Sequence, residues 1–286
     1  MRHAFVGAGG IGGLLGAVLA RKGADVVLLM RPETVAGYGG RLAVESAVLG
    51  DFEVGVPAAS GLDGAVDVLW VTTKAMHLEP ALALAPAEVV GDAVVIPLLN
   101  GVDHVQMLRR SYRNVVPGAI RVESERIDTG RIRQSSPFLR VELAGAGAAA
   151  AELSGAGIEC RVRDDELSML WEKLAFLAPL ALATTALDLP LGSVRDDERY
   201  RACQDEVLAV ARAEGARIDG TALRELVRAA PDEMRSSMQK DVAAGREPEL
   251  DAIAGPILRA GRRHGIPVPG TADLAALVAA KAGEQG

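Results

Sequence analysis

Residues 1–32 read MRHAFVGAGGIGGLLGAVLARKGADVVLLMRP, and they hold three glycines at the spacing Gly7-x-Gly9-x-x-Gly12. With 32 glycines in 286 residues the spacing alone is cheap. Its position is not: an apolar run, HAFV, precedes it and a helical run, LLGAVLA, follows it. A strand, a glycine turn and a helix in that order are the context a dinucleotide-binding turn requires. The first glycine permits the tight turn, the second lets backbone approach a pyrophosphate, and the third lets helix and strand pack closely. The helix N-terminus then offers free N–H groups and a favourable dipole to the anion.

The rest of the first half keeps this rhythm. Strand-like runs at 3–7, 25–30, 67–73, 93–99 and 114–120 alternate with helical patterns near 11–22, 32–39, 76–85 and 102–110. The alternation predicts an α/β fold, a Rossmann-type, doubly wound and mainly parallel sheet. A more antiparallel tail is expected over 121–143, with turns at 128–130 and 135–137, and a short helix from the segment 144–153. From residue 164 the pattern turns helical: 165–177, 180–188, 196–214, 221–229, 234–243, 250–264 and 271–283. The expected organisation is a dinucleotide-binding domain over 1–163 and an all-α domain over 164–286, with a hinge near 160–166.

Three polar residues join the glycines at predicted strand ends. Arg31 follows the second strand, where an Asp or Glu would suit the ribose hydroxyls of NAD and a basic residue suits the 2′-phosphate of NADP. Lys74 follows DVLWVTT and Asn100 follows VVIPLL. Gly9, Arg31, Lys74 and Asn100 therefore fall on the carboxyl edge of one parallel sheet, the edge where open α/β sheets bind ligands. Taken singly, Arg31 and Lys74 also read as solvated surface residues, and Asn100 as a turn residue before Gly101.

In the helical half, Leu167, Leu170, Trp171, Leu174 and Ala178 form an apolar stripe, with Asp164 and Asp165 as capping types ahead of it. Lys173 flanks the stripe. It is either a snorkelling side chain or a partly buried functional ammonium. Ser237 and Asp241 lie one helical turn apart, and Ser237 also reads as a helix cap. Glu249 precedes an apolar helix, where an acid suits the dipole.

Composition closes off other classes. A net charge of −7 argues against generic nucleic-acid or anionic-membrane binding. Two cysteines, Cys160 and Cys203, stand in no metal-like or C-x-x-C spacing, so a reduced, cytoplasmic setting is expected. No uniformly apolar run of membrane-spanning length is apparent. The histidines are scattered, and no metal site is expected.

Taken together, GAGGIGG at 7–13, Arg31, TTKAMH at 72–77, LLNGV at 98–102, WEKLAF at 171–176, SSMQKDV at 236–242, EPELD at 247–251 and HGIPVPGT at 264–271 resemble the ketopantoate reductases (2-dehydropantoate 2-reductases) over nearly the whole chain. The resemblance implies NADPH-dependent reduction of a 2-oxo acid to a 2-hydroxy acid. It implies cofactor contacts at Gly7, Gly9, Gly10, Ile11, Gly12 and Arg31, with Lys74 and Asn100 lining the cofactor and substrate cleft. By the same resemblance Lys173 is the general acid, Ser237 meets the substrate carboxylate, and Glu249 reaches the cofactor or the lysine. Three positions depart from the family pattern: Leu177 and Ala181 stand where asparagines are usual, and Ala254-Gly255 replaces an Asn-Gly pair. A wall without those donors points to a less polar 2-oxo acid, unless Thr184 or Thr185 supplies the missing hydrogen bond. Other readings are reduction of a different, more apolar 2-oxo acid and, in another class, a non-catalytic NADP-binding sensor. A monomer or a homodimer is expected.

Overall fold

The computed structural model describes residues 1–284. The chain divides into two compact units, one built from residues 1–99 and 104–166, the other from residues 100–103 and those from 167 onward.

The first unit contains β1 (Arg2–Val6), α1 (Gly10–Arg21), β2 (Asp25–Leu29), α2 (Pro32–Ala36), β3 (Arg41–Ser46), β4 (Phe52–Gly55), β5 (Ala58–Ala59), β6 (Val68–Val71), α3 (Leu78–Leu82), α4 (Ala87–Val90), β7 (Val94–Pro97), α5 (His104–Ser111), β8 (Gly118–Arg121), β9 (Ser124–Asp128), β10 (Arg131–Gln134), β11 (Arg140–Leu143), α6 (Gly147–Gly155) and β12 (Glu159–Val162). Its main sheet has the order β5-β2-β1-β6-β7 and is parallel throughout. Phe5, Leu28, Leu69 and Trp70 are fully buried within it, as expected of strands covered on both faces. The sheet confirms the expected α/β class. A second sheet runs β4-β3-β10-β9 and a third β12-β11-β8.

Helix α1 explains its own composition. Its central residues, Gly12 to Leu19, are all buried. A Cβ at Gly16 would press on Leu28 and Phe5 of the main sheet, while one at Gly13 would press on Ile132 of the second. A helix held between two sheets has room for little side chain on either flank, and GIGGLLG meets that requirement.

The expected strand over 114–120 is split. Val115 makes a single parallel bridge to Val95, whereas residues 118–121 join the third sheet. Pro117 lies at the break and cannot donate to a ladder.

The second unit is helical: α7 (Glu166–Leu187), α8 (Leu191–Val194), α9 (Glu198–Ala213), α10 (Gly220–Ala229), α11 (Ser237–Ala243), α12 (Leu250–His264) and α13 (Pro269–Gly283). The two helices expected over 165–177 and 180–188 are one, continuous through Pro179. Proline within a helix costs about 3 kcal/mol. Here it sits in a core of Trp171, Leu174, Ala178, Leu182, Tyr200, Cys203 and Val207, whose burial offsets that cost. Helix α7 has the length and apolarity of a membrane-crossing segment, yet 67% of its apolar window is buried inside the unit, as in a core helix. Cys203 is a packed core residue, and burial pushes its thiol up to about 12.

Candidate functional site

In the first unit the glycine turn is a fixed backbone shape. Gly7 has φ +99°, in the left-handed region, and a Cβ there would press on Thr73. Thr72 Oγ1 donates to the carbonyls of Gly7 (2.7 Å) and Val6 (3.1 Å), locking the turn to the end of β6. A Cβ at Gly12 would collide with the Gly7 carbonyl and Thr72 Oγ1. Gly9 is the N-cap of α1, and nothing lies within 4 Å of the place its Cβ would take. The three glycines thus have three separate reasons: turn, open approach and close packing. Gly10 has a fourth, because its α-carbon packs on the backbone of Ser124 in β9, whose hydroxyl donates to the Gly10 carbonyl at 2.9 Å. Ile11 is half-buried against the same core.

This surface fits a dinucleotide phosphate. The first turn of α1 carries no acidic residue and no side-chain cap, so its N–H groups remain for an anion. Beside the turn, the buried hydroxyl of Thr73 has no hydrogen-bond partner. In the sequence Thr73 is visible only as a strand residue in VTT. Nothing in the sequence marks which of two adjacent threonines is spent on the backbone, as Thr72 is, and which is not.

Arg31 is the N-cap of α2 and exposed, its Nε 3.2 Å from Glu33 Oε1. An exposed pair of this kind is worth about 0–1 kcal/mol and yields readily to a better partner. Lys74, half-buried, caps the short 3-10 turn Ala75–His77 directly after β6.

In the second unit, Gly101 has φ +80°, and a Cβ there would collide with the Ala252 carbonyl on α12. The close approach lays residues 100–103 along α12. Asn100 Nδ2 donates to Glu249 Oε2 at 3.1 Å. Glu249 stands at the N-cap position of α12 without capping through its side chain, which leaves the carboxylate for Asn100. Farther along, Arg259 pairs with Asp103 and with Asp251, both at 2.7 Å. Asn100 is therefore more than a turn residue: its amide and Glu249 form one polar pair.

Lys173 and Leu177 are half-buried on α7, and Ala181 is buried. Ser237 is the first residue of α11 and exposed, but the cap is its neighbour. Ser236 Oγ accepts from the Gln239 N–H at 3.1 Å and lies 2.9 Å from Thr184 Oγ1. The capping role read into Ser237 belongs to Ser236, which leaves the Ser237 hydroxyl facing outward.

Similar proteins bear on these placements. The family profile described as Ketopantoate reductase PanE/ApbA matches residues 3–144, and that described as Ketopantoate reductase PanE/ApbA C terminal matches residues 165–282. A 2-dehydropantoate 2-reductase of Caulobacter vibrioides is 33% identical over 293 aligned residues, covering 98% of each chain. The crystal structure of a PanE/ApbA family ketopantoate reductase from Ralstonia eutropha superposes with a TM-score of 0.88 at 30% identity, over 100% of this chain and 99% of that one. D-mandelate dehydrogenase, solved with NADH and anilino(oxo)acetate, shares the fold at a TM-score of 0.89 and 23% identity, over 100% and 99% of the two chains.

Proposed function

The chain belongs to the ketopantoate reductase family, and on that premise we propose that it catalyses the NADPH-dependent reduction of 2-dehydropantoate to pantoate, a 2-oxo acid to a 2-hydroxy acid. The observation that carries the proposal is the open face of Gly9 under the uncapped N-terminus of α1.

The backbone of Gly7, Gly9, Gly10, Ile11 and Gly12, with the Thr73 hydroxyl, would hold the pyrophosphate. Arg31 would leave Glu33 for the 2′-phosphate, which its guanidinium can hold bidentately. When bound, NADPH supplies the hydride that the substrate carbonyl carbon accepts. The protein's own residues handle the charge that then develops on oxygen. In this reading the Lys173 ammonium donates a hydrogen bond to that oxygen and delivers the proton. The Ser237 hydroxyl donates to the substrate carboxylate. Glu249 holds the Asn100 amide in one orientation, and Lys74 contributes positive charge on the cofactor side. The cofactor groups thus fall in the first unit and the proton-donating and carboxylate-binding groups in the second.

The test is NADPH oxidation with 2-dehydropantoate, comparing wild type with Lys173→Ala. The variant should lose about 10²–10⁴ in kcat, the usual contribution of a general acid, while NADPH affinity measured by fluorescence titration stays unchanged. Retained turnover would remove Lys173 from the acid role. Absence of turnover by the wild type would remove the reaction itself.

A further inference from the structure

Where α7 ends, the second unit surrounds a cavity of about 240 Å³ that the reduction proposed above does not use. It is lined by Thr185 on α7, Asp188 just beyond that helix, Gln239, Val242 and Ala243 on α11, and Lys281 on α13. One water takes about 30 Å³ of the liquid, so the space suits a small molecule rather than a single ordered water. At 3.6 residues per turn Thr185 is rotated by about 120° from Lys173. The cavity and the lysine therefore lie on different sides of α7.

The residues of this lining carry polar atoms that the fold leaves unused. Thr184 Oγ1 donates to the Leu180 carbonyl at 2.7 Å, as a helical threonine commonly does. Its neighbour Thr185 is 1% exposed, and its hydroxyl has no hydrogen-bond partner among the described residues. Gln239 is 3% exposed; its Nε2 donates to Asp188 Oδ1 at 3.1 Å, and its Oε1 has no partner among the described residues either. Buried polar atoms without partners are rare, and a bound group is one of the few things that explain them. Both atoms turn about single bonds, the hydroxyl about χ1 and the amide about χ3, so a guest in the cavity can draw them to itself. Opposite charges flank them. Lys281 Nζ donates to the Thr185 carbonyl at 3.3 Å and stands 4.0 Å from Asp188 Oδ2, too far for a hydrogen bond. Asp188 also faces Arg235 at 3.7 Å. An ammonium has three donors and a carboxylate several acceptor positions, so both charges keep hydrogen-bonding capacity to spare.

We propose that this cavity binds a small zwitterion of the α-amino-acid class. The carboxylate of the guest accepts from Lys281 Nζ and from the Thr185 hydroxyl. Its ammonium donates to Gln239 Oε1 and to the Asp188 carboxylate. Val242 and Ala243 offer a short aliphatic side chain apolar contact. Each charge on the guest then meets its opposite, and both orphaned atoms gain a partner. A ligand with a single charge answers either Lys281 or Asp188 and leaves the other half of the lining unmatched. The guest is bound, not transformed: no covalent bond forms or breaks.

Isothermal titration of the full-length protein with L-alanine and L-valine tests the proposal, with isobutyrate and isobutylamine as single-charge controls. At least one amino acid should bind saturably with a Kd of about 1 mM or tighter, and both controls at least about tenfold more weakly. Lys281→Met should weaken amino-acid binding by about tenfold or more, the worth of a hydrogen bond to a charged group. Ala243→Phe, at an exposed position of the lining, places a ring at the mouth of the cavity and should do the same without removing a charge. Should one variant fail to fold, by circular dichroism and melting, the other decides. Lys173→Ala should bind the amino acid as the wild type does. The proposal is overturned by a wild type that binds neither amino acid, by controls that bind as tightly, or by binding that survives either folded cavity variant. Loss of binding in Lys173→Ala overturns it too, because the amino acid would then be occupying the place assigned to the 2-oxo acid. None of these measurements uses turnover, so failure here leaves the reductase reading standing.

Discussion

The turn at residues 7–12 and the strip of α7 around Lys173 both interrupt an otherwise packed unit, but they are made of different material. At the turn, side chains have been left out. Gly7 takes a φ that other residues resist, Gly12 lies against the Gly7 carbonyl, and Gly9 faces empty space. Along α7, side chains have been put in: one lysine, with Phe176 and Leu177 half-open beside it and residues 178–185 buried beyond. A backbone site has few alternatives, because nearly every Cβ collides with something. A side-chain site can be rewritten one residue at a time without disturbing the fold. On the function proposed above, the cofactor end is therefore the conservative one in physical terms, and the substrate end the adjustable one.

The sharpest way to break this comparison is to add the same methyl group at two places in the turn. Gly12→Ala forces a Cβ into the Gly7 carbonyl, and should lower stability by about 1–3 kcal/mol and abolish NADPH binding together. Gly9→Ala meets open space, so it should cost under about 1 kcal/mol of stability while still weakening NADPH. Thermal unfolding and cofactor titration of the two variants separate these outcomes. Equal losses of stability would mean that Gly9 is structural too.

A smaller effect is expected at Arg31. Replacing it by glutamate should weaken NADPH by about ten- to a hundredfold, the worth of hydrogen bonds to a charged group, and NADH much less. Equal weakening of both cofactors would break the assignment of Arg31 to the 2′-phosphate.

The smallest effect tests the framework that carries the turn. His3 on β1 is fully buried, its Nδ1 accepting from Trp70 Nε1 at 3.1 Å and its Nε2 2.6 Å from Glu152 Oε2. Accepting at Nδ1 requires the neutral ring, with the proton on Nε2. Burial lowers the His3 pKa below 6.5, with Glu152 opposing. The folded state therefore takes up this proton less readily than the unfolded chain. The stabilisation is complete above pH 6.5 and is lost as pH falls through the lowered value. Melting curves from pH 8 to pH 5 should fall more steeply for wild type than for His3→Gln. Parallel curves would show that the ring does not titrate on unfolding.

Much of this is legible in the sequence. The glycine turn, the four long strands of the main sheet and nearly every helix of the second unit announce themselves by periodicity and punctuation. What escaped depends on partners distant in sequence. LAVES becomes β3 between the nearby β4 and the distant residues 131–134, with which it pairs in parallel, and its alternation is too short to declare itself alone. Pro179 reads locally as a helix break and is overruled by the core packed around it. Ser236 and Ser237 are indistinguishable as letters. Only the position of Thr184 decides which of them caps α11. The same holds for Thr72 and Thr73 beside the turn.

The loop at residues 100–103 has a practical consequence for dissecting the protein. These four residues are encoded within the first half of the chain, yet they pack with the second unit, through Gly101 against Ala252, Asn100 on Glu249 and Asp103 on Arg259. A gene truncated to begin at residue 167 would omit them, and the isolated helical fragment would carry Glu249 and Arg259 each short of a partner. The second unit is compact but is not a contiguous stretch of message. A recombinant version of the second would need these residues restored, either on a linker or as a peptide added in trans.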